Sequence, residues 1–239
     1  MKRQPGFFLL LLLIFINFSC NNGENPSKEK PRSVVLMPGA PDTSMVETGI
    51  DAIPDGDLIR VEWSAGDEST ALYEIYRGTL PSASFTKIVT VETPVQSYED
   101  QVPSKGVRYY YFVRAVNDEG IQSDPSDTLS YRLIHKAEIL DPVGTSGSAP
   151  TFSWRDPNSP QANDYIIRLK AADTGSMIWL SQFQNSNYGP DTKSIIFNAD
   201  HGASLENLVL GTNYQWRIDI IGNEKNCGSE SPWTSIQIQ

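Results

Sequence analysis

Cysteine and histidine are nearly missing: two of each occur in 239 residues. That is too little thiol for a disulfide-dense mini-domain and too little imidazole for a His-built metal site or a relay of bases. Basic residues are also scarce, with 19 Lys and Arg against 29 Asp and Glu for a net charge of −10. Affinity for a phosphate backbone comes from many cations releasing counterions, so nucleic acid is not the expected partner. No apolar run exceeds ten residues, and ten span only ~15 Å as a helix, about half of a hydrocarbon core. What the chain does have is apolar content of 39% with 20% charged residues, enough to build a core, in a length that suits two domains of ordinary size.

The one apolar run, Phe7 to Ile16, follows Met1-Lys2-Arg3 and precedes Asn17-Phe18-Ser19-Cys20. A basic start, a short apolar stretch and a small residue make the layout of a secretory signal peptide. Cys20, with Ser19 before it and Asn21-Asn22-Gly23 after it, resembles the lipobox of bacterial lipoproteins. That resemblance implies cleavage after residue 19, acylation of the Cys20 thiol, and a two-chain anchor of the kind that makes membrane residence stable. It also implies, through Asn21 where inner-membrane retention uses Asp, an outer-membrane address in the cell envelope. Residues 20–37 are polar, carry Lys28, Glu29, Lys30, Pro26 and Pro31, and read as a flexible tether. As a coil, such a segment reaches roughly 20–25 Å.

From Pro38 onward, short alternating runs bounded by Gly, Pro, Asn and Asp predict an all-β chain. Ile59, Val61 and Trp63 share one strand face; Tyr73 and Ile75 repeat the pattern. In the longest strand Tyr109, Tyr111, Val113 and Ala115 point inward while Tyr110, Phe112, Arg114 and Val116 point out. Trp63, Tyr73-Glu74-Ile75-Tyr76-Arg77 and Tyr109 to Asn117, with Gly120 and Ser123, resemble a fibronectin type III domain over 38–135. The resemblance implies a central Trp and a tyrosine corner at Tyr109. Residues 136–239 repeat the plan: Thr151-Phe152-Ser153-Trp154, then Tyr165 to Leu169, then Leu208, Gly211, Tyr214, Trp216, Ile218 and Ile220. This half is similar to fibronectin type III more distantly, with a longer segment at Ala171 to Lys193. With no Gly/Ser spacer between Leu133 and Pro142, the two tandem β-sandwiches are expected to form an extended, semi-rigid rod.

The sequence supplies no catalytic set, metal site or cofactor motif. Ser84-Phe85-Thr86-Lys87 and Ser27-Lys28-Glu29-Lys30 have S-x-x-K spacing, but that chemistry needs Ser and Lys one helical turn apart. Gly144 to Ser148 nearly spells a nucleophile elbow without its last glycine or its strand-to-helix turn. Asp51, Asp55 and Asp57 lack the spacing of a calcium loop, and Asp55-Gly56-Asp57 is a turn on ordinary grounds. His135 and His201 are isolated, and Cys227 has no second thiol in the chain once Cys20 is acylated. Arg77-Gly78 is followed by Thr79, so the integrin-binding tripeptide of some fibronectin modules does not carry over. Two aromatic sets qualify as candidate binding surfaces. Tyr76, Tyr110 and Phe112 face outward on neighbouring strands; Trp179, Phe183 and Tyr188 lie in the long segment of the second domain, where rings on a loop can stack on sugar or grip a peptide. Packing, as a cross-strand aromatic ladder or within a short middle strand, is the commoner use of such rings and the favoured reading of both sets.

The function expected from these residues is a non-enzymatic cell-envelope lipoprotein, held to the membrane by its N-terminal lipid, that binds a protein or acts as a spacer. A surface carbohydrate-binding lipoprotein is the second reading, and a hydrolase with an unrecognised site the third.

Overall fold

The computed structural model describes residues 29–102, 104–157, 161–185 and 192–239. Cys20 and the proposed signal peptide, and Tyr188 of the second aromatic set, lie outside those residues. Among the described residues no helix is long and apolar enough to cross a membrane.

The first half supplies β1 (Asp51–Ala52), β2 (Leu58–Glu62), β3 (Thr70–Gly78), β4 (Thr86–Glu92), β5 (Ser97–Gln101), β6 (Arg108–Asn117) and β7 (Leu129–Leu133). They form a sheet β1-β2-β5 facing a sheet β4-β3-β6-β7. The period-2 pattern dictates this layering: Ile59, Val61, Trp63, Tyr73, Ile75, Tyr109, Tyr111, Val113 and Ala115 all turn inward and are buried. Trp63 meets Tyr73 edge-on at 5.4 Å in the middle of the sandwich. Burying each such side chain contributes about 1.5–3 kcal/mol. Val116, expected outward, is buried; β3 slips register between Thr70 and Leu72, opposite this end of β6.

The second half supplies β8 (Glu138–Asp141), β9 (Gly144–Ser146), β10 (Thr151–Arg155), β11 (Ala162–Ala171), β12 (Met177–Gln184), β13 (Thr192–Ile196), β14 (Asn213–Gly222), β15 (Cys227–Glu230) and β16 (Thr234–Ile238). One sheet runs β8-β10-β13. The other runs β12-β11-β14, with β15 and β16 sharing the far edge of β14 and β9 parallel to β16. Phe152, Trp154, Trp179 and Trp216 fill the centre. A shared local device marks the two halves as repeats. Ser126 accepts the Val113 N–H on its hydroxyl and donates its own N–H to the Val113 carbonyl, and Ser231 does the same with Ile218. The tyrosine corner closes in the second sandwich, where Tyr214 accepts a hydrogen bond from the Val209 N–H at 3.1 Å.

Two sequence expectations need correction. The flexible tether does not run to residue 37, because Val34 and Leu36 are buried in the first core and Leu36 pairs with Trp63. Alternate apolar side chains with backbone bonds from Met37 to Glu62 and from Ser64 to Val35 make this stretch a first edge strand. Nor do the sandwiches meet as links of a simple rod. β7 pairs in parallel with β15, so the two larger sheets join edge to edge as one ten-stranded sheet.

Candidate functional site

The aromatic sets part company. Tyr76 lies opposite Phe112 in the β3–β6 ladder, and their rings stack at 4.6 Å and 13°. Phe85 adds a tilted contact to Phe112 at 4.9 Å, and the Arg114 guanidinium lies 5.7 Å from the same ring. Tyr110 sits two residues along the strand, opposite Gly78. These rings are half-buried and face outward, as alternation required. Beneath them Glu74 accepts hydrogen bonds from Lys87 (2.7 Å), Tyr76 (2.8 Å) and Gln122 (2.7 Å). Burial alone would raise the Glu74 carboxyl, but Lys87, Tyr76 and Gln122 together hold it below its ordinary value.

Trp179 and Phe183, offered as a ligand platform on a loop with packing in a short strand as the favoured alternative, are strand residues. Both lie on β12, where every second side chain turns inward. Trp179 is 1% exposed, packs edge-on against Phe197 at 5.5 Å, and donates its indole N–H to Asp200 at 2.8 Å. Phe183 packs on Trp154 at 5.6 Å and Tyr165 at 5.9 Å. Trp179 is core and Phe183, partly buried, packs against it, so neither ring stands free as a platform.

The remaining singled-out residues stay apart. Asp57 pairs with Lys105 at 2.8 Å, while Asp51 lies on β1. Ser84 sits in a left-handed turn (φ 62°), and Lys87 is held by Glu74. His201 occupies another left-handed turn (φ 58°), and the His135 carbonyl accepts a hydrogen bond from Ser229. Cys227 is buried and free, and burial pushes its thiol up.

The densest chemistry is a cluster that sequence reading missed, at the junction of the sandwiches. Residues 38–49 leave the first edge strand and return to it, closed at the base by bonds from Ala40 to Thr48 and from Ile50 to Met37. Gly49 closes the turn at φ 81°, where a Cβ would fall 2.0 Å from the Pro38 carbonyl oxygen, so only glycine fits. This excursion, the strap, crosses onto the second sandwich. There Arg168 of β11 donates to the carbonyls of Ser44 (2.7 Å) and Asp42 (2.6 Å) and to the Asp219 carboxylate (2.7 Å). Glu47 of the strap pairs with Arg168 at 3.1 Å and with Arg217 of β14. Arg217, 1% exposed, also meets Asp219 at 2.8 Å and Glu230 at 3.0 Å, with the Trp233 ring 4.8 Å from its guanidinium.

Carboxylate oxygens of Glu47, Asp219 and Glu230 lie within 4.8 Å of one another. They converge on the Arg217 guanidinium, so the cation at their centre is the chain's own. Acids outnumber bases here, and the carboxyls are shifted accordingly. Burial, reinforced by the Asp219 charge, raises Glu230 to about 9 despite Arg217. Burial, then the Glu47 charge, raises Asp51 to about 7. The same cause raises Asp42. A cavity of about 20 Å³, room for one water, lies among Asp42, Glu47, Asp51, Arg168, Asp219 and Glu230. On its other side Glu224 accepts from Arg108 at 2.9 Å and from Arg132 at 2.7 Å, and Arg132 and Ile134 donate backbone N–H bonds to Asn226 and Gly228.

No family model matches the chain. One stretch of 120 residues is 27% identical to an amylopullulanase from Thermoanaerobacter thermohydrosulfuricus, covering 50% of this chain and 7% of that enzyme. The chain therefore spans less than a tenth of this curated relative. Among solved structures, three fibronectin type III domains of chicken CNTN1 align over 88% of this chain and 69% of theirs, with 17% identity and a TM-score of 0.42. A two-domain fibronectin type III segment of chicken tenascin aligns over 87% of this chain and 97% of its own, with 14% identity and a TM-score of 0.31. An Fn3-like protein from Clostridium thermocellum aligns over 34% of this chain and 84% of its own, with 28% identity and a TM-score of 0.30. The fold is a tandem of fibronectin type III-like β-sandwiches.

Proposed function

We propose that this chain is a non-enzymatic, membrane-tethered module of the bacterial cell envelope, with Cys20 as the lipid-bearing residue, that holds a protein-binding surface at a fixed stand-off from the bilayer. The reading is supported by the fused junction. A spacer has to keep its parts in one orientation, and a sheet continuous across both sandwiches, locked by the strap and the Arg217 cluster, does so. The half-buried ladder of Tyr76, Tyr110 and Phe112 is the surface this reading offers to a partner.

Lipid labelling tests it. Cells fed a tagged palmitate are expected to label the native chain and retain it in the membrane fraction, whereas Cys20→Ala is unlabelled and soluble. An unlabelled native chain, or a Cys20→Ala variant that stays in the membrane, contradicts the anchor. Asn21 favours the outer membrane, and protease treatment of intact cells distinguishes its two faces.

Carbohydrate binding is a second reading, favoured by the stretch similar to an amylopullulanase. Titration with pullulan and linear maltodextrins, followed by tryptophan fluorescence, tests it. A protein-binding module shows no saturable change; a saturable change makes the glycan reading the correct one. A reducing-sugar assay on the same glucans is expected to show no turnover.

A further inference from the structure

The junction brings five acids and two arginines together from separate elements: Asp42 and Glu47 of the strap, Asp51 of β1, Arg168 of β11, Arg217 and Asp219 of β14, and Glu230 of β15. We propose that the strap, Asp51 and Glu230 form a proton-dependent latch. Protons held beneath the strap keep the sandwiches together, and their loss loosens the junction without unfolding either one. The inference concerns the junction on which the spacer reading rests, yet its test reads the junction alone, so its failure leaves the lipid-label result standing.

The geometry carries the idea. Arg168 and Arg217 supply two positive charges, which Glu47 and Asp219 already match in number, while the Asp42 and Ser44 carbonyls take further Arg168 N–H groups; Glu230 touches Arg217 at 3.0 Å as an acid beyond that count. Glu230 and Asp51 are then surplus acids in a space with room for about one water. Two further surplus charges there face Asp219 and Glu47 at close range, with little solvent to screen them. The other groups facing them restore the balance only in part: Arg60 of β2, opposite Asp51, and a hydrogen bond from Tyr131 favour the charged form of Asp51, but Arg60 is also paired with Glu62 at 3.2 Å. Tyr131 of β7 is buried, with its phenol pushed well above its ordinary value by burial and Asp51. Asp164 adds negative charge towards Asp42. Lys136 of the connecting segment is lowered by its own burial and spends its ammonium on the Ile53 and Pro54 carbonyls. Cys227 beside them is neutral, its thiol raised by burial.

The direction follows from linkage. In the closed junction Asp51 is raised to about 7 and Glu230 to about 9, while in an opened, hydrated junction both return towards ordinary carboxyl values. Closure therefore takes up protons, is fully favoured below those ordinary values, and weakens as pH rises through the raised ones.

Quench-flow hydrogen exchange on the full chain, with each rate normalised to its intrinsic value, tests the latch. The reporters are the Arg132 and Ile134 amides, which bond across the junction; the Val113 and Ile218 amides, inside the two sandwiches, are controls. From pH 5.5 to pH 9 the reporters are expected to lose at least about tenfold in protection while the controls hold, because each such group contributes up to tenfold per pH unit. Glu230→Gln, which copies the protonated acid, removes most of this dependence, and Asp51→Asn removes its lower part. Reporter protection independent of pH, or an equal fall in reporters and controls, overturns the proposal in the native chain alone. An undiminished fall in a folded Glu230→Gln, Asp51→Asn double variant overturns it as well.

Discussion

Arg217 and Glu230 touch, yet removing the charge of one is expected to differ sharply from removing the charge of the other. Arg217→Ala leaves the buried Asp219 and the half-buried Glu47 with half of their compensation gone, a change that costs about 3–5 kcal/mol. Glu230→Gln keeps the volume and the neutral form that burial already favours at pH 7. Urea denaturation at pH 7 is expected to show the large loss for Arg217→Ala and a stability equal to or above the native one for Glu230→Gln. Equal losses would contradict the protonated state assigned to Glu230. Trp179 makes a second residue-scale contrast. As a packed strand residue, its replacement by Ala costs about 3–5 kcal/mol, and the Tm falls with it. A nearly unchanged Tm together with lost ligand binding would restore the platform reading. The period of two in Trp179, Ser181 and Phe183 agrees with the packing reading of these rings, which the sequence favoured over a loop platform.

The strap and the ladder make separable contributions. Deletion of Pro41 to Glu47 joins Ala40 to Thr48, residues already bonded at 2.9 Å, so the edge strand and both cores survive. Calorimetry is expected to resolve two transitions in this variant where the native chain shows one. A single transition in the deletion variant would mean that the strap does not couple the sandwiches. On the outer sheet face, Phe112→Ala removes the stacked contact with Tyr76, worth about 0.5–1.5 kcal/mol. That is small enough for the fold to persist while partner capture is measured. The strands were legible because alternation encodes which face is buried: Ile59, Val61 and Trp63, or Tyr214, Trp216, Ile218 and Ile220, read correctly residue by residue. The first edge strand was not, since only Val34 and Leu36 carry its signal, beside prolines and lysines that resemble a tether. The strap was illegible for another reason. Arg168 and Arg217 occupy outward positions on their strands, and nothing in the order of the chain tells that Glu47, 170 residues before Arg217, is what covers them.

At the scale of the molecule, the continuous sheet, the strap and the Glu224 bridge to Arg108 and Arg132 tie the two sandwiches together, and they are expected to behave as one body. Fold alone does not assign a task, since the same sandwich hosts many; the fixed junction adds a mechanical property that a spacer requires and a chain of loose beads lacks. The sequence showed two repeats and a direct connection, and from these a rod followed naturally. The lateral pairing of β7 with β15 depends on a free sheet edge in each half meeting the other, which short-range patterns do not record. Residual dipolar couplings of the folded region measure the central claim most directly, because they report the orientation of each sandwich independently. At pH 6 one alignment tensor is expected to fit both sandwiches. Two tensors of different magnitude or orientation would show the sandwiches moving independently and contradict the account.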